Sequence, residues 1–496
     1  TNNATLTVSV AGPVNLDERM SFLIGYPYGC LEQTISAAFA QLFVPRAVES
    51  SIEPAVLDRN VQGAIEALRR FRLPSGAFSY WPGSSEPSIW ATNYAGHFLL
   101  EAQDLGYFVP EELISEWISF QRARAITTAD TLIERSYRLY LLARAGEPAV
   151  GPMNLIRENA WSELTTAGRW YLAGAYHLAG YDEEAARLLV SAGTEVREYR
   201  EFGGSFGSTL RDQAVILDIA LATGRQNSAD RLFEIVSEQL GSDRWYSTQT
   251  TGYALMALSR YLTSVSRPGD EPLAGRVVFP DGSSRSFQSR EASVTLDVTD
   301  ELYGEDDMSG NRSGAPGEVL VEVVGAPAER VFVMGHWEGT PLESRVGSVS
   351  QGLAVTSEWY DLEGRPVDVE RLSQGQEFWQ FIRIRHQDPA HDLLEELACV
   401  QIYPPGWEIV NTRLTGEAVP PWFAEVATDP EFLDIRDDRA SWFFDLSRFR
   451  GTAVFAMRLR AVLPGSFALP PLSVEAMYRD DVRARIPGRP VEVVGR

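Results

Sequence analysis

The sequence predicts a multidomain protein with separate α and β parts, and three observations carry that expectation. Thr5-Leu6-Thr7-Val8-Ser9-Val10 alternates polar and apolar residues as a strand does. From about residue 17 to 262 apolar residues recur at helical spacing, punctuated by Gly and Pro. From about residue 263 onward short β-rich runs alternate with turn residues. At 496 residues the chain is long enough for roughly three domains with sizeable cores.

The first strand stands alone before the helices. Unpaired, it would leave its backbone groups unsatisfied, so it is expected to pair with strands from the 275–335 region. Within the helical stretch a pattern echoes. Gly76-Ala77-Phe78-Ser79 precedes Trp90-Ala91-Thr92-Asn93-Tyr94-Ala95; Gly204-Ser205-Phe206-Gly207-Ser208 precedes Asp212-Gln213-Ala214-Val215; Arg244-Trp245-Tyr246-Ser247-Thr248 precedes Gly252-Tyr253-Ala254-Leu255. Each reads as a glycine or aromatic turn feeding a small-residue helix, and repeated helical hairpins stack or close into a ring.

Strands are expected at Gly275-Arg276-Val277-Val278-Phe279, at Ala292 to Val298, at Glu318 to Val324 and at Val331 to Met334. Between them, residues 304–314 read as a solvated acidic loop; a Ca²⁺ site is the lesser reading, because the EF-hand spacing is absent. Phe378 to Arg385 and Ala453 to Val462 alternate as strands of a further β domain.

Tyr26-Pro27-Tyr28-Gly29-Cys30-Leu31-Glu32-Gln33-Thr34-Ile35-Ser36 carries the chemistry. Pro27 and Gly29 supply a turn. Leu31, Ile35, Ala38, Phe39 and Leu42 then recur at helical spacing, which places Cys30 in the first helical turn with Gln33 on the same face, at about 5–6 Å between Cβ atoms. A thiol and a carboxamide so placed can condense with loss of ammonia to an internal thioester. The helix N-terminus favours thiolate, which serves sulfur both as nucleophile and as leaving group. On spacing alone the plainer reading is stronger: a lone Cys near a helix start is usually a small buried hydrophobe.

The longer string resembles, almost residue for residue, the thioester motif of the alpha-2-macroglobulin family in its bacterial branch. Near the other end, Asp437-Asp438-Arg439, Phe443-Phe444, Pro464-Gly465-Ser466-Phe467, Pro470-Pro471 and Glu475-Ala476-Met477-Tyr478 resemble the closing domain of the same proteins. The resemblance implies an α/α toroid (the thioester domain) inserted in a β-sandwich of complement (CUB) type, followed by a C-terminal macroglobulin-like β-sandwich. It implies boundaries of 1–16 and 263–340 for the CUB-like domain, 17–262 for the toroid and 341–496 for the last domain. It also implies a thioester between Cys30 and Gln33, shielded from water by Met477 and Tyr478, with Tyr26 and Tyr28 flanking it. Tyr80, Trp81, Trp90 and Tyr94 line the same face or fill the core, the core being the commoner role for large aromatics.

The expected activity is single-turnover acyl transfer rather than enzymatic turnover: an attacking protease is tethered through a lysine amine, which makes the chain part of a broad-spectrum endopeptidase inhibitor. Upstream macroglobulin-like domains of the same protein are the expected partners. A periplasmic or cell-envelope location follows by resemblance, with an upstream lipid or membrane anchor among the arrangements it allows. The alternatives are a non-covalent binding or structural module whose thioester is unformed or hydrolysed, and a Cys-dependent acyl-transfer enzyme.

Other chemistries find little support. A cysteine peptidase needs a His beside the thiol, but His97 and His177 sit among apolar residues and read as core or subsurface. No metal-ligand spacing is present, so no metal or cofactor is expected. A formal net charge of −24 without a basic cluster argues against nucleic acid. No stretch reaches the ~20 apolar residues that span a bilayer. All 44 basic residues are arginine. Base composition explains that most simply, yet a chain without ε-amines also cannot acylate itself through lysine.

Overall fold

A computed structural model of the chain describes residues 2–10, 12–265, 271–303, 318–326, 330–339, 347–410 and 420–495. The expected acidic loop at 304–314 lies outside the described residues. The chain forms two compact units: Thr1–Arg200 with Gly207–Thr340, and Glu201–Phe206 with Pro341–Arg496.

In the first unit, β1 (Asn2–Ser9) pairs antiparallel with β4 (Ser293–Asp297) on one side and β6 (Phe332–Gly339) on the other. A second three-stranded sheet places β2 (Leu273–Val278) between β3 (Ser284–Ser289) and β5 (Leu320–Gly325). The period-2 alternation of β1 turns Ala4, Leu6 and Val8 into a core shared with Leu273, Val277, Phe287 and Leu296. A strand that precedes the helices is thus completed by strands that follow them, so the helical domain is an insertion.

Twelve α-helices make up the insertion: α1 (Leu16–Gly25), α2 (Leu31–Phe43), α3 (Pro54–Ala67), α4 (Ile89–Asp104), α5 (Glu111–Arg124), α6 (Leu132–Arg144), α7 (Val150–Asn159), α8 (Thr166–Leu178), α9 (Asp182–Ala192), α10 (Thr209–Ala222), α11 (Gln226–Leu240) and α12 (Thr248–Val265). The even-numbered helices pack in sequence, and α12 returns to α2, which closes an α/α toroid. Inner helices are buried on nearly every side, as α4 is from Trp90 to Ala102. Outer helices are amphipathic, as in α11, where Ala229, Leu232, Val236, Ser237 and Leu240 make the buried stripe.

The turns of the sequence echo supply caps. Ser88 and Ser208 accept the N–H groups of Ala91 and Arg211 at the starts of α4 and α10. Small residues on the inner helices admit rings from the outer ones. A Cβ at Gly96 would fall 2.0 Å from the Trp117 ring, whose Nε1 donates to the Thr92 carbonyl at 2.8 Å.

The second unit is a β domain. One sheet orders β12 (Trp407–Val410), β15 (Thr452–Ala461), β10 (Glu377–His386) and β8 (Leu353–Tyr360). The largest orders β13 (Phe432–Ile435), β14 (Arg439–Ser447), β11 (Leu393–Ile402), β17 (Leu472–Ala476), β18 (Arg479–Ile486) and β7 (Val349–Gln351). The third orders β16 (Gly465–Leu469), β19 (Arg489–Val494) and β9 (Arg371–Ser373). Phe378, Ile382 and Ile384 of β10 share one core with Leu397 and Cys399 of β11 and Val474 of β17. Residues 201–206, which the helical pattern assigns to the toroid, group with this unit because Phe202 joins its core.

Candidate thioester site

Cys30 is the N-cap of α2. Its backbone is extended (φ −69°, ψ 166°), and its sulfur accepts the Gln33 N–H at 3.4 Å. The sequence placed it one position further in, within the first turn. The difference arises because sulfur does the work that a Ser or Thr hydroxyl does at other helix starts, accepting one of the N–H groups a helix leaves unpaired. The consequence for chemistry is favourable, since the Cys30 sulfur sits at the positive end of α2, where a thiolate is stabilised.

The ends of the motif are fixed by backbone bonds. Leu31 N–H donates to the Tyr80 carbonyl at 3.0 Å, and Thr34 donates to the Cys30 carbonyl through its N–H at 3.1 Å and its hydroxyl at 2.9 Å. Both members of the pair are sequestered, with Cys30 0 % and Gln33 4 % exposed.

Between them Glu32 is fully buried, a placement that costs several kcal/mol unless the carboxylate is hydrogen-bonded. Ser36 Oγ donates to one oxygen, and Thr248 Oγ1, from the start of α12, donates to the other at 2.7 Å. Ser36 Oγ also shares a hydrogen bond with the Tyr94 hydroxyl of α4 at 3.0 Å. Gly252 of α12 backs onto Ser36 so closely that a Cβ there would lie 3.1 Å from the Ser36 Cβ. The motif helix is therefore clamped by its two neighbours in the ring. Sequence reasoning missed Thr248 and Gly252 as supports of the site, and it named Tyr94 for this face or the core without pairing it with Ser36: the echo exposed their helices but nothing linked them to Glu32 or Ser36.

Tyr26 and Tyr28 are half-buried and meet edge to face, 5.4 Å between centroids at 90°, with Phe22 5.8 Å from Tyr26. Of the aromatics named with them, Tyr94 supports Ser36, while Trp90 lies against Tyr137 at 5.1 Å and beneath the Arg211 guanidinium at 4.7 Å, both as core. Tyr80 and Trp81 meet edge to face.

Met477 and Tyr478 form the two-residue turn between β17 and β18, and each is 1 % exposed. Met477 N–H donates to the Glu396 carbonyl at 3.0 Å, and the Tyr478 ring lies 4.5 Å from Phe206. The two residues belong to the second unit, whereas Cys30, Gln33, Tyr26 and Tyr28 belong to the first.

His97 is engaged elsewhere. Its Nδ1 meets the Tyr137 hydroxyl at 2.8 Å and its Nε2 meets Glu101 at 3.2 Å, so both ring nitrogens are committed. Burial lowers its pKa. Burial would raise Glu101, but Arg260, His97 and Arg144 together hold that carboxyl well below the usual range. His177 pairs with Asp182 at 2.6 Å near the surface. Cys399 is a different kind of cysteine, buried in β11 opposite Trp442 and Val474, and burial pushes its thiol up. Among the described residues no group of three or more His, Cys, Asp or Glu gathers as a metal would require. No helix among them is long and apolar enough to cross a membrane.

Residues 4–124 match the family model of the A-macroglobulin TED domain, and residues 352–481 match that of the bacterial alpha-2-macroglobulin MG10 domain. An alpha-2-macroglobulin from Xylella fastidiosa is 25 % identical over 514 residues, covering 97 % of this chain and 30 % of the relative. That from Escherichia coli is 24 % identical, covering 97 % of this chain and 29 % of the relative. The chain thus spans about 30 % of the length of the curated relatives it matches.

The crystal structure of native E. coli alpha-2-macroglobulin from domain MG7 to the C-terminus superposes with a TM-score of 0.82 at 20 % identity, over 100 % of this chain and 78 % of that one. Salmonella alpha-2-macroglobulin reacted with methylamine gives 0.80 at 20 % identity, over 100 % of this chain and 32 % of that one. With a domain match near each end, curated relatives along nearly its whole length and a shared fold throughout, the chain belongs to the bacterial alpha-2-macroglobulin family.

Proposed function

We propose that Cys30 and Gln33 join in an internal thioester, and that the chain acts within a longer protein as the acylating part of a covalent protease trap. One observation carries the reading: the Cys30 sulfur caps the helix whose first turn holds Gln33, with both residues buried, inside the region that matches the TED domain. Formation is balanced. The sulfur attacks the Gln33 side-chain carbonyl carbon, the C–N bond breaks, and ammonia departs with the thiol proton.

Discharge runs through the same carbon. A lysine amine of the attacking protease adds to it, the C–S bond breaks, the Cys30 thiolate leaves towards the positive helix end that stabilises it, and an isopeptide bond tethers the protease. Each chain does this once, so it is an inhibitor and not an enzyme. Storage needs exclusion of water, and Met477, Tyr478, Tyr26 and Tyr28 are assigned that role. Domains upstream in the longer protein supply the site of cleavage and the trigger, and the location is extracytoplasmic. Amine reactivity is named for the Salmonella relative treated with methylamine, and the same reactivity is proposed here.

The test is stoichiometry with a biotinylated primary amine. The reading expects one amine per chain, mapped to Gln33, and one thiol released at Cys30, after which reaction stops. Continued turnover would instead mark an acyl-transfer enzyme, and absence of incorporation would leave a non-covalent module.

A further inference from the structure

Among the described residues two non-glycine residues take a left-handed backbone, Phe206 at φ 51° and Glu396 at φ 56°. That conformation crowds the Cβ of an L-residue and is an outlier for a bulky one. It persists where the surroundings over-determine it, and such strain clusters at functional sites. These two lie far apart in the sequence, yet both end at the same two-residue turn. The Glu396 carbonyl accepts the Met477 N–H at 3.0 Å, and the Phe206 ring meets the Tyr478 ring at 4.5 Å, tilted by 36°.

The turn needs support from outside. Two-residue hairpin loops ordinarily use Gly or Asn at positive φ, and neither Met477 nor Tyr478 takes one. The hairpin is also irregular, with a register shift between Glu475 and Ala476.

Each strained residue is held on both sides. Glu396 sits at the bulge where β11 slips against β14, and its N–H is tied to Asp445 at 2.8 Å while its carbonyl is turned to Met477. Phe206 closes a tight turn, its N–H donating to the Gly203 carbonyl at 2.9 Å, with Ser205 Oγ bonded to Glu201 at 2.7 Å. Phe202, at the other end of that turn, packs against His391 at 5.0 Å and beneath the guanidinium of Arg479 at 4.5 Å. Arg479 directly follows Tyr478. The 201–206 segment therefore grips the hairpin at two consecutive residues.

We infer that Phe206 and Glu396 are positioning residues for Tyr478, holding the Met477–Tyr478 turn in a single orientation; this rests on the covering role proposed for those two residues. The Phe206 ring fixes the phenol, and the Glu396 carbonyl fixes the backbone beneath it.

The test compares Phe206→Ala, Phe206→Tyr, Glu396→Gly and Tyr478→Gly in the full 496-residue chain. Spontaneous thiol release at Cys30, thermal unfolding and hydrogen exchange of the Met477 amide are followed together. Phe206→Ala is expected to accelerate release by about tenfold at an unchanged unfolding midpoint, with faster Met477 exchange. Phe206→Tyr keeps the ring and should release at the parent rate. Glu396→Gly keeps the carbonyl and relieves the strain, so it too should match the parent.

If Tyr478→Gly accelerates release while a folded Phe206→Ala does not, the positioning role is overturned and the cover survives. If Tyr478→Gly releases at the parent rate, the cover falls, and Met477 exchange decides: faster in Phe206→Ala keeps the positioning role, unchanged overturns it. Should Phe206→Ala lower the midpoint, Phe206→Leu, which keeps apolar volume without a ring, is read in the same way.

Discussion

Thr248 donates its hydroxyl hydrogen to the buried Glu32 carboxylate at 2.7 Å, tying the start of α12 to the first turn of the motif helix. Thr248→Val keeps the shape of the side chain and removes the donor, leaving a buried oxygen unsatisfied. The expected cost is ~1–3 kcal/mol in urea unfolding, together with faster thiol release at Cys30, because the clamp on α2 loosens.

The two cysteines should part cleanly in reactivity. Cys30→Ala is expected to abolish amine incorporation, whereas Cys399→Ser should retain it at some cost in the stability of the β domain. In native protein Cys399 should resist maleimide until the chain unfolds, because burial both hides its thiol and disfavours thiolate. Peptide mapping after labelling checks both statements.

Acid should weaken the toroid in two stages. Burial depresses His97 below its ordinary 6.5, so below that pH the unfolded chain takes up a proton that the folded chain refuses, and stability falls. Glu101 is depressed below its ordinary 4.5, so its contribution is present above that pH and is lost as pH falls further. Chemical denaturation across this range should show both declines; His97→Gln should remove the upper one and soften the lower, because His97 is one of the partners that hold Glu101 down while Arg260 and Arg144 remain.

Gly96→Ala forces a Cβ to within 2.0 Å of the Trp117 ring. An overpacking loss of ~1–3 kcal/mol is expected, read as a lower unfolding midpoint. Trp117→Leu in the same chain should recover part of it by making room.

Much of this was legible in the sequence for identifiable reasons. The alternation of Leu6 and Val8 marked β1, and its isolation required partners later in the chain, found at β4 and β6. Helical spacing brings Cys30 and Gln33 onto one face, yet spacing alone favours a plain buried cysteine, and it is the resemblance of the longer Tyr26 to Ser36 string that singles out the pair. Periodicity places Cys30 in the first turn and the structure places it at the N-cap, since element ends are set by local dihedrals rather than by periodicity. Thr248 could not be paired with Glu32, because ring closure between α12 and α2 is a tertiary fact. Phe206 and Glu396 were invisible for a related reason: neither residue type favours positive φ, so only the packing around them reveals the strain.

The central claim is the bond between Cys30 and Gln33, and intact mass of freshly purified native chain before and after methylamine tests it most directly. The account predicts a starting mass lower than the sequence mass by one ammonia, a gain of one methylamine on treatment, and one new thiol at Cys30. A starting mass equal to that of the sequence, with Cys30 already open to maleimide in the folded chain and no gain from methylamine, would contradict it.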